Sequence, residues 1–408
     1  MKKLNRIIKM DSYDAVSFFN GLVFFAPVSL LVRTQAGVSQ SMFFLLQALL
    51  SAIMFLGEIP TGFLTDRIGY KRSLVLSQGL LLLARFLLFV SFICKSPVLF
   101  SVEAIVEGLS YCFVSGTDSA YVYEVYGTKN YLSKTAHASN CGTAGFLIST
   151  VSYVVIYHVF NIEGLLLSTI ATSMAAAFFS FKLKKEPSKV IAQKEPQNKT
   201  TSYTENGQDN KNMENCHPLK KLFSTMKHPK ALLFAVALSV FQVSWLLINF
   251  FYVGKLETCG ISVEWMSAVI LGYSAVEMLA EPIIRKIGNA FSKKWAFVFG
   301  VASGIGFLLF GFISHKIPVV ALMLILPLLL KLPEYFVMEQ ENILVDLLGV
   351  KTQRAAALSI LNMGVSIMEI LALFASAVLT GVGIGWCFIG VGMILIICML
   401  CIFGIDNQ

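Results

Sequence analysis

The residues of this 408-residue chain that could do chemistry are charges set inside long apolar runs. Arg85 lies mid-run. Glu103 and Glu107 follow at i,i+4, so a helix would put both on one face. Lys331 and Glu334 repeat the theme at i,i+3, with Glu369 at a similar depth in a later run. Depth counting predicts an Arg85–Glu107 pair and a comparable basic–acid pair in the second half. Glu277 and Glu281 form a further same-face acidic pair, expected near a membrane face as a gate or solvated rim. A desolvated carboxylate beside a movable cation can take up and release a proton, which is the chemistry of ion coupling. The bland alternative is a set of static, neutralised salt bridges, and the sequence leaves both open.

The elements that hold these charges follow from composition. The chain is 56% apolar and 14% charged, against about 25% charged for soluble domains. It has too little polar surface to coat a core, and the alternative solvent is lipid. About 20 apolar residues span a bilayer as a helix. Such spans are predicted near 11–32, 39–62, 73–94, 98–122, 137–159, 163–182, 230–254, 263–285, 295–314, 318–343, 355–380 and 382–403. The fold class is therefore all-α integral membrane, with twelve transmembrane helices. With the N-terminus inside, 26 of the 32 Lys and Arg fall in inner segments and 4 (Arg33, Lys95, Lys255, Lys316) in outer loops. The positive-inside rule then puts both termini in the cytoplasm. The net charge of +8 belongs to these loops, so nucleic acid is rejected as a partner. No cleavable signal peptide is evident. The eight Cys and five His show no metal-ligand spacing and no phosphate-binding glycine loop occurs, so no metal, cofactor or ATP motor is expected, and no enzyme.

Residues 183–229 form a hydrophilic stretch, too poor in apolar side chains to offset its own ordering entropy. It reads as a disordered cytoplasmic linker between residues 1–182 and 230–408, six spans each. A shift of 219 residues lays Glu58 on Glu277 and Arg67-Ile68-Gly69 on Lys286-Ile287-Gly288. A shift of 220 lays Lys134 on Arg354, Ala136 on Ala356 and Ser139 on Ser359. An internal duplication is expected, with a substrate site where the repeats meet.

The strongest local pattern is Gly62-x-x-x-Asp66-Arg67-x-Gly69-x-Lys71-Arg72, between the second and third spans. It resembles the signature loop of the major facilitator superfamily, in its bacterial twelve-helix form. The two glycines permit close approach and a tight turn. Asp66 is a lone acid among bases. The resemblance implies that it meets the N-terminus of helix eleven, near Arg354-Ala355-Ala356, where the dipole favours an anion. It also implies that the loop's bases engage an acid at the inner end of helix four, for which Asp118 and Glu124 are candidates. Ser115–Ala120 resembles the family's helix-four end and Gln353–Ser359 its helix-eleven start. Two departures stand out. Gly142 to Phe146 has the glycines but not the proline of the family's antiporter motif. In the second-half copy, Arg285 falls where Asp66 would.

The resemblance implies two six-helix bundles rocking about a central cavity, lined by helices one, four, seven and ten among others. Candidate coupling or cavity residues are Arg85, Glu103, Glu107, Lys331, Glu334 and Glu369. Candidate substrate contacts are Asn20, Gln242, Trp245, Asn249 and Tyr252. The expected function is secondary active transport of a small molecule, with proton-coupled efflux of an amphipathic or cationic compound leading. Proton-coupled uptake of a small metabolite is the alternative, and a non-transporting sensor on the same fold is a third reading. The expected setting is a monomer in the lipid of a bacterial cell membrane.

Overall fold

The computed structural model describes residues 10–187, 229–261, 265–287, 293–347, 353–380 and 383–405. Helices joined by short turns make up these residues, with no strand among them. In chain order the helices are α1 (Ser12–Gly21), α2 (Ser29–Gln35), α3 (Gln40–Ile68), α4 (Tyr70–Cys94), α5 (Pro97–Val114), α6 (Thr117–Tyr126) and α7 (Thr128–Phe181). After the predicted linker, which lies largely outside the described residues, come α8 (Pro229–Thr258), α9 (Met266–Glu277), α10 (Ala280–Ile287), α11 (Lys293–Phe312), α12 (Lys316–Leu347), α13 (Arg354–Thr380) and α14 (Ile384–Ile405). Eight of the described helices are long and apolar enough to cross a membrane. The α7 run of 54 residues breaks at Asn161 (φ 53°, ψ −156°). Unbroken it would be roughly 80 Å long at 1.5 Å per residue, far beyond a 30 Å hydrocarbon core. The break yields the two spans expected at 137–159 and 163–182.

Three predicted spans are interrupted. The first, expected as one helix over 11–32, ends at Gly21 and passes through a 3₁₀ turn at Ala26–Val28 before α2 begins. Pro27 lacks the amide that a continuous helix needs. The fourth breaks at Ser115-Gly116, where Gly116 has φ 67°. The eighth breaks at Met278-Leu279, so Glu277 and Glu281 lie on separate helices rather than on one acidic face. With these breaks each of the twelve predicted spans falls on one or two of the described helices, or on one arm of α7.

Local signals set the ends. Asp11 caps α1 with a reciprocal box to Asp14, an arrangement worth about 1 kcal/mol. Ser39 caps α3 and Ser96 caps α5, the latter with Pro97 at the first position. Gly69, at φ 96°, separates α3 from α4.

Packing is that of a lipid-embedded protein. Phe86, Val151, Phe178, Phe312 and Ile397 are exposed, while charged and polar side chains such as Glu103, Asp14 and Ser303 are buried. One apolar core lies within the first half (Leu46, Leu88, Phe100, Ile162, Leu165) and one within the second (Phe241, Phe307, Met323, Leu330, Phe388). Two more join the halves. One sets Tyr70, Tyr121 and Tyr123 against Val345, Ala355 and Ala356. The other sets Ala136 against Ala280, Ile284 and Tyr335.

Candidate functional site: a cavity between the halves and its closed end

A cavity of about 400 Å³ lies between the halves. The first half contributes Tyr13 and Ser17 of α1, Asp118 of α6, and Thr135, Ser139 and Thr143 of α7. The second contributes Gln242 of α8 and Lys331, Glu334 and Tyr335 of α12. The charged cluster sits on the second half. Lys331 Nζ is 3.4 Å from Glu277 Oε1 and 3.8 Å from Glu334 Oε2. Its ammonium stands 5.1 Å from the Trp245 ring centroid and 5.4 Å from that of Tyr335, a cation–π arrangement. Glu334 also accepts hydrogen bonds from Gln242 Nε2 (3.1 Å) and Trp245 Nε1 (2.9 Å). Facing it, Asp118 accepts the Tyr13 hydroxyl at 2.6 Å.

The expected first-half pair is present but elsewhere. Arg85 Nη1 is 2.9 Å from Glu107 Oε1, and Tyr111 donates to the same carboxylate oxygen. Neither Arg85 nor Glu107 lines the cavity. Glu103, read with Glu107 as a cavity acid, instead meets Arg33 at 3.3 Å, both fully or nearly buried. Arg33 was counted as an outer-loop charge. It belongs to α2, and its guanidinium is buried in the bundle beside Glu103 and the Phe43 and Phe100 rings. Of the proposed substrate contacts, Gln242 lines the cavity and Trp245 reaches it through Glu334. Asn20, Asn249 and Tyr252 do not line it. Asn249 accepts from Tyr273, Tyr252 packs on the second-half core, and Asn20 Oδ1 is buried without a partner. The Glu369 side chain lies outside the described residues. Sequence reasoning missed Tyr13, Thr135, Ser139 and Tyr335. The hydroxyls of Tyr13, Thr135 and Ser139 lie on α1 and α7, and that of Tyr335 on α12, a pattern readable only once those helices are known to line one cavity.

One end of the bundle is shut. It is the end that carries the basic loops. Asp66 accepts hydrogen bonds from the backbone amides of Ala355 (3.1 Å) and Ala356 (3.0 Å). Those amides are first-turn donors of α13 with no partner inside the helix, and the dipole there favours the carboxylate. Gly62 makes this contact sterically available. A Cβ there would sit 2.9 Å from Ala356 Cα and from Ser359 Oγ. Arg354, 1% exposed, donates to Glu124 (3.0 Å), to the Asn342 carbonyl (3.0 Å) and to Asp346, with its guanidinium 4.4 Å from the Tyr123 ring centroid. Tyr123 donates to Asp346, and Asn342 to Ser119. Glu124 is thus engaged by Arg354, not by a base of the signature loop, and Asp118 by Tyr13. Arg67 and Arg72 are exposed, and the Lys71 amide donates to Glu186. Gly69 turns the chain between α3 and α4.

A second seam closes the same end. His137 Nδ1 is 2.7 Å from Glu281 Oε1, and Asn140 donates to Glu281 Oε2 (2.9 Å) and to the Met278 carbonyl (2.7 Å).

An interface cavity between two helical halves, latched at one end, is the architecture of an alternating-access carrier. The sequence profile described as Major Facilitator Superfamily matches residues 15–331, and the chain belongs to that superfamily. Solved transporters share its fold. The E. coli fucose:proton symporter FucP aligns with a TM-score of 0.74 at 13% identity, over 97% of this chain and 98% of that one. A structure of FucP in the outward conformation gives 0.70 at 13% over the same shares. The human organic anion transporter MFSD10 (TETRAN) gives 0.68 at 12% identity, over 95% of this chain and 97% of that one. No curated protein matches the chain by sequence. The chain is thus a multi-pass membrane protein of a transporter superfamily.

Proposed function

We propose that the protein is a secondary active transporter that exports a cationic or amphipathic small molecule in exchange for protons. The observation that carries this reading is the cavity. It lies between the halves, and Asp118 and Glu334 line it against Lys331, the single lining cation among the described residues. A net acidic, partly dry site attracts a cation, and a carboxylate there can exchange that cation for a proton. Glu334 is the exchanging group on this reading, with Lys331 its movable counter-charge. Asp66 and Arg354 hold the carrier with its basic end closed. That end is the cytoplasmic one on this reading. Residues 1–182 and 230–408 are the moving units, and residues 183–229 the cytoplasmic connection.

Proteoliposome flux under an imposed proton gradient, over a panel of cationic and amphipathic compounds, tests it. Glu334→Gln should stay folded, because Lys331 keeps Glu277, while gradient-driven flux falls at least about tenfold, equivalent to about 1.4 kcal/mol. Wild-type flux and pH dependence in that variant would remove Glu334 from the mechanism. Uptake of a polar metabolite by proton symport is the second reading. It is favoured by the hydroxyl-rich first-half wall of Ser17, Thr135, Ser139 and Thr143, and substrate accumulation inside cells would select it.

A further inference from the structure

Beside the second seam, three side chains of metal-ligating type converge. The Asp14, His137 and Cys141 ligand atoms all lie within 4.8 Å of one another. His137 Nε2 is 3.7 Å from Asp14 Oδ2 and 4.0 Å from Cys141 Sγ. Tetrahedral zinc, with bonds of about 2.0–2.3 Å, separates its ligands by roughly 3.3–3.8 Å. The two His137 distances are already close to these values, and the Asp14–Cys141 pair, within 4.8 Å, has to close by about 1 Å at most to reach that separation.

The convergence has a backbone cause. His137 and Cys141 are one turn apart on α7, so they share a face. Asp14 comes from α1, over a hundred residues away. Gly21, Gly142 and Gly145 let α1 and α7 pack backbone against backbone, because a Cβ at Gly21 or Gly145 would overlap the facing chain. That approach carries Asp14 to the His137–Cys141 face.

The surroundings are those of a ligand set. His137 Nδ1 faces Glu281 at 2.7 Å, which leaves Nε2 directed at Asp14 and Cys141. A carboxylate on the far nitrogen of an imidazole fixes its tautomer and raises its basicity toward a metal. Glu281 is itself held by Asn140 (2.9 Å) and Arg285 (3.4 Å). Asp14 Oδ1 meets Lys134 at 2.6 Å, and Lys134 also meets Asp11 at 2.8 Å. Asp14 Oδ2 accepts the Asp11 amide at 3.0 Å and retains a second lone pair. Charges balance with a divalent ion present. Asp14 and a Cys141 thiolate neutralise the ion, Lys134 neutralises Asp11, and Arg285 neutralises Glu281; Lys184, 3.4 Å from Asp11, is exposed and screened by solvent.

We propose that Asp14, His137 and Cys141 form a binding site for a zinc-like divalent cation. The nitrogen, oxygen and thiolate set selects zinc, cobalt or cadmium over magnesium or calcium. Binding releases the thiol proton of Cys141 to solvent. Three protein ligands leave a fourth position for water. The His137 side chain keeps 17% exposure, which gives an ion access.

Purified full-length protein titrated with Co²⁺ tests this. One equivalent should produce a thiolate-to-cobalt charge-transfer band, discharged by Zn²⁺. Cys141→Ser should abolish the band. His137→Gln should weaken cobalt binding at least tenfold, and Glu281→Gln also tenfold or more, as loss of a group orienting a ligand does. His158→Gln, outside the cluster, should change nothing. A second measurement needs no variant: Zn²⁺ should protect wild-type Cys141 from maleimide, read by mass spectrometry, while exposed Cys401 still reacts. Absence of the cobalt–thiolate band, its persistence in folded Cys141→Ser, or unprotected Cys141 would each overturn the site.

Discussion

The two seams that close the basic end occupy related places in the two halves, yet they are built from different chemistry. In the first, Asp66 of α3 reaches the amides of Ala355 and Ala356. In the second, Glu281 of α10 reaches the side chains of His137 and Asn140. The difference follows from where each partner helix begins. The α13 helix starts at Arg354, so its first amides are free to bind an anion. The α7 helix starts at Thr128, nine residues before His137. By then its amides are committed within the helix, and a carboxylate must find side chains. The 219-residue shift lays Glu281 on Gly62 and Arg285 on Asp66. The second copy of the signature loop looks degenerate in sequence. In the fold its acid has moved one turn upstream, and Arg285 is tied to it at 3.4 Å. Corresponding places in two halves can keep a contact while exchanging the groups that make it.

Three substitutions would break or sharpen this comparison. The largest effect should come from outside both seams. Glu107→Gln leaves Arg85 buried beside Phe25 with its ion pair gone, which should cost about 3–5 kcal/mol of stability. Thermal unfolding in detergent would measure it, and joint replacement by Arg85→Met and Glu107→Leu should recover most of the loss. A Glu107→Gln protein as stable as wild type would mean that this pair is no brace. Next, Asp66→Asn should leave the fold intact but shift the balance toward opening of the basic end by about 1–2 kcal/mol. Distances between spin labels on the two halves would show it. Unaltered distances and flux would deny Asp66 a latching role. Smallest, Glu281→Gln should shift the same balance by about 1 kcal/mol or less, since neutral hydrogen bonds to His137 and Asn140 can persist. If Glu281→Gln moves the balance more than Asp66→Asn, the ranking of the two seams is reversed.

Much of the fold was legible because lipid imposes a simple code of apolar length and loop charge. The Asp66 contact was legible too, since a lone acid in a basic loop needs a partner and the resemblance supplied a helix start. What escaped depends on three-dimensional routing. Arg33 read as a loop charge because its partner Glu103 lies 70 residues away on another helix, where no local pattern marks it. Arg354 displaced the loop's own bases at Glu124 because its fork, fixed by Asn342 and Asp346, already points there. Glu107 and Glu334 looked equivalent by depth, yet rotation about their helix axes put only Glu334 on the cavity. Asp14 met His137 and Cys141 through glycine packing that no local pattern announces.

Arg354 has a consequence for how the closed end lets go. Two of its partners, Asn342 and Asp346, belong to its own half, and they travel with it when the halves part. Across from it, Glu124 and the Tyr123 ring lose Arg354, and Asp66 loses the amides of Ala355 and Ala356, all three on the other half. The guanidinium therefore keeps two of its protein partners through such a parting, while on its own lip water has to replace Asp66 only at the neutral amides of Ala355 and Ala356. Release should resemble the wetting of an acidic rim more than the rupture of a salt bridge.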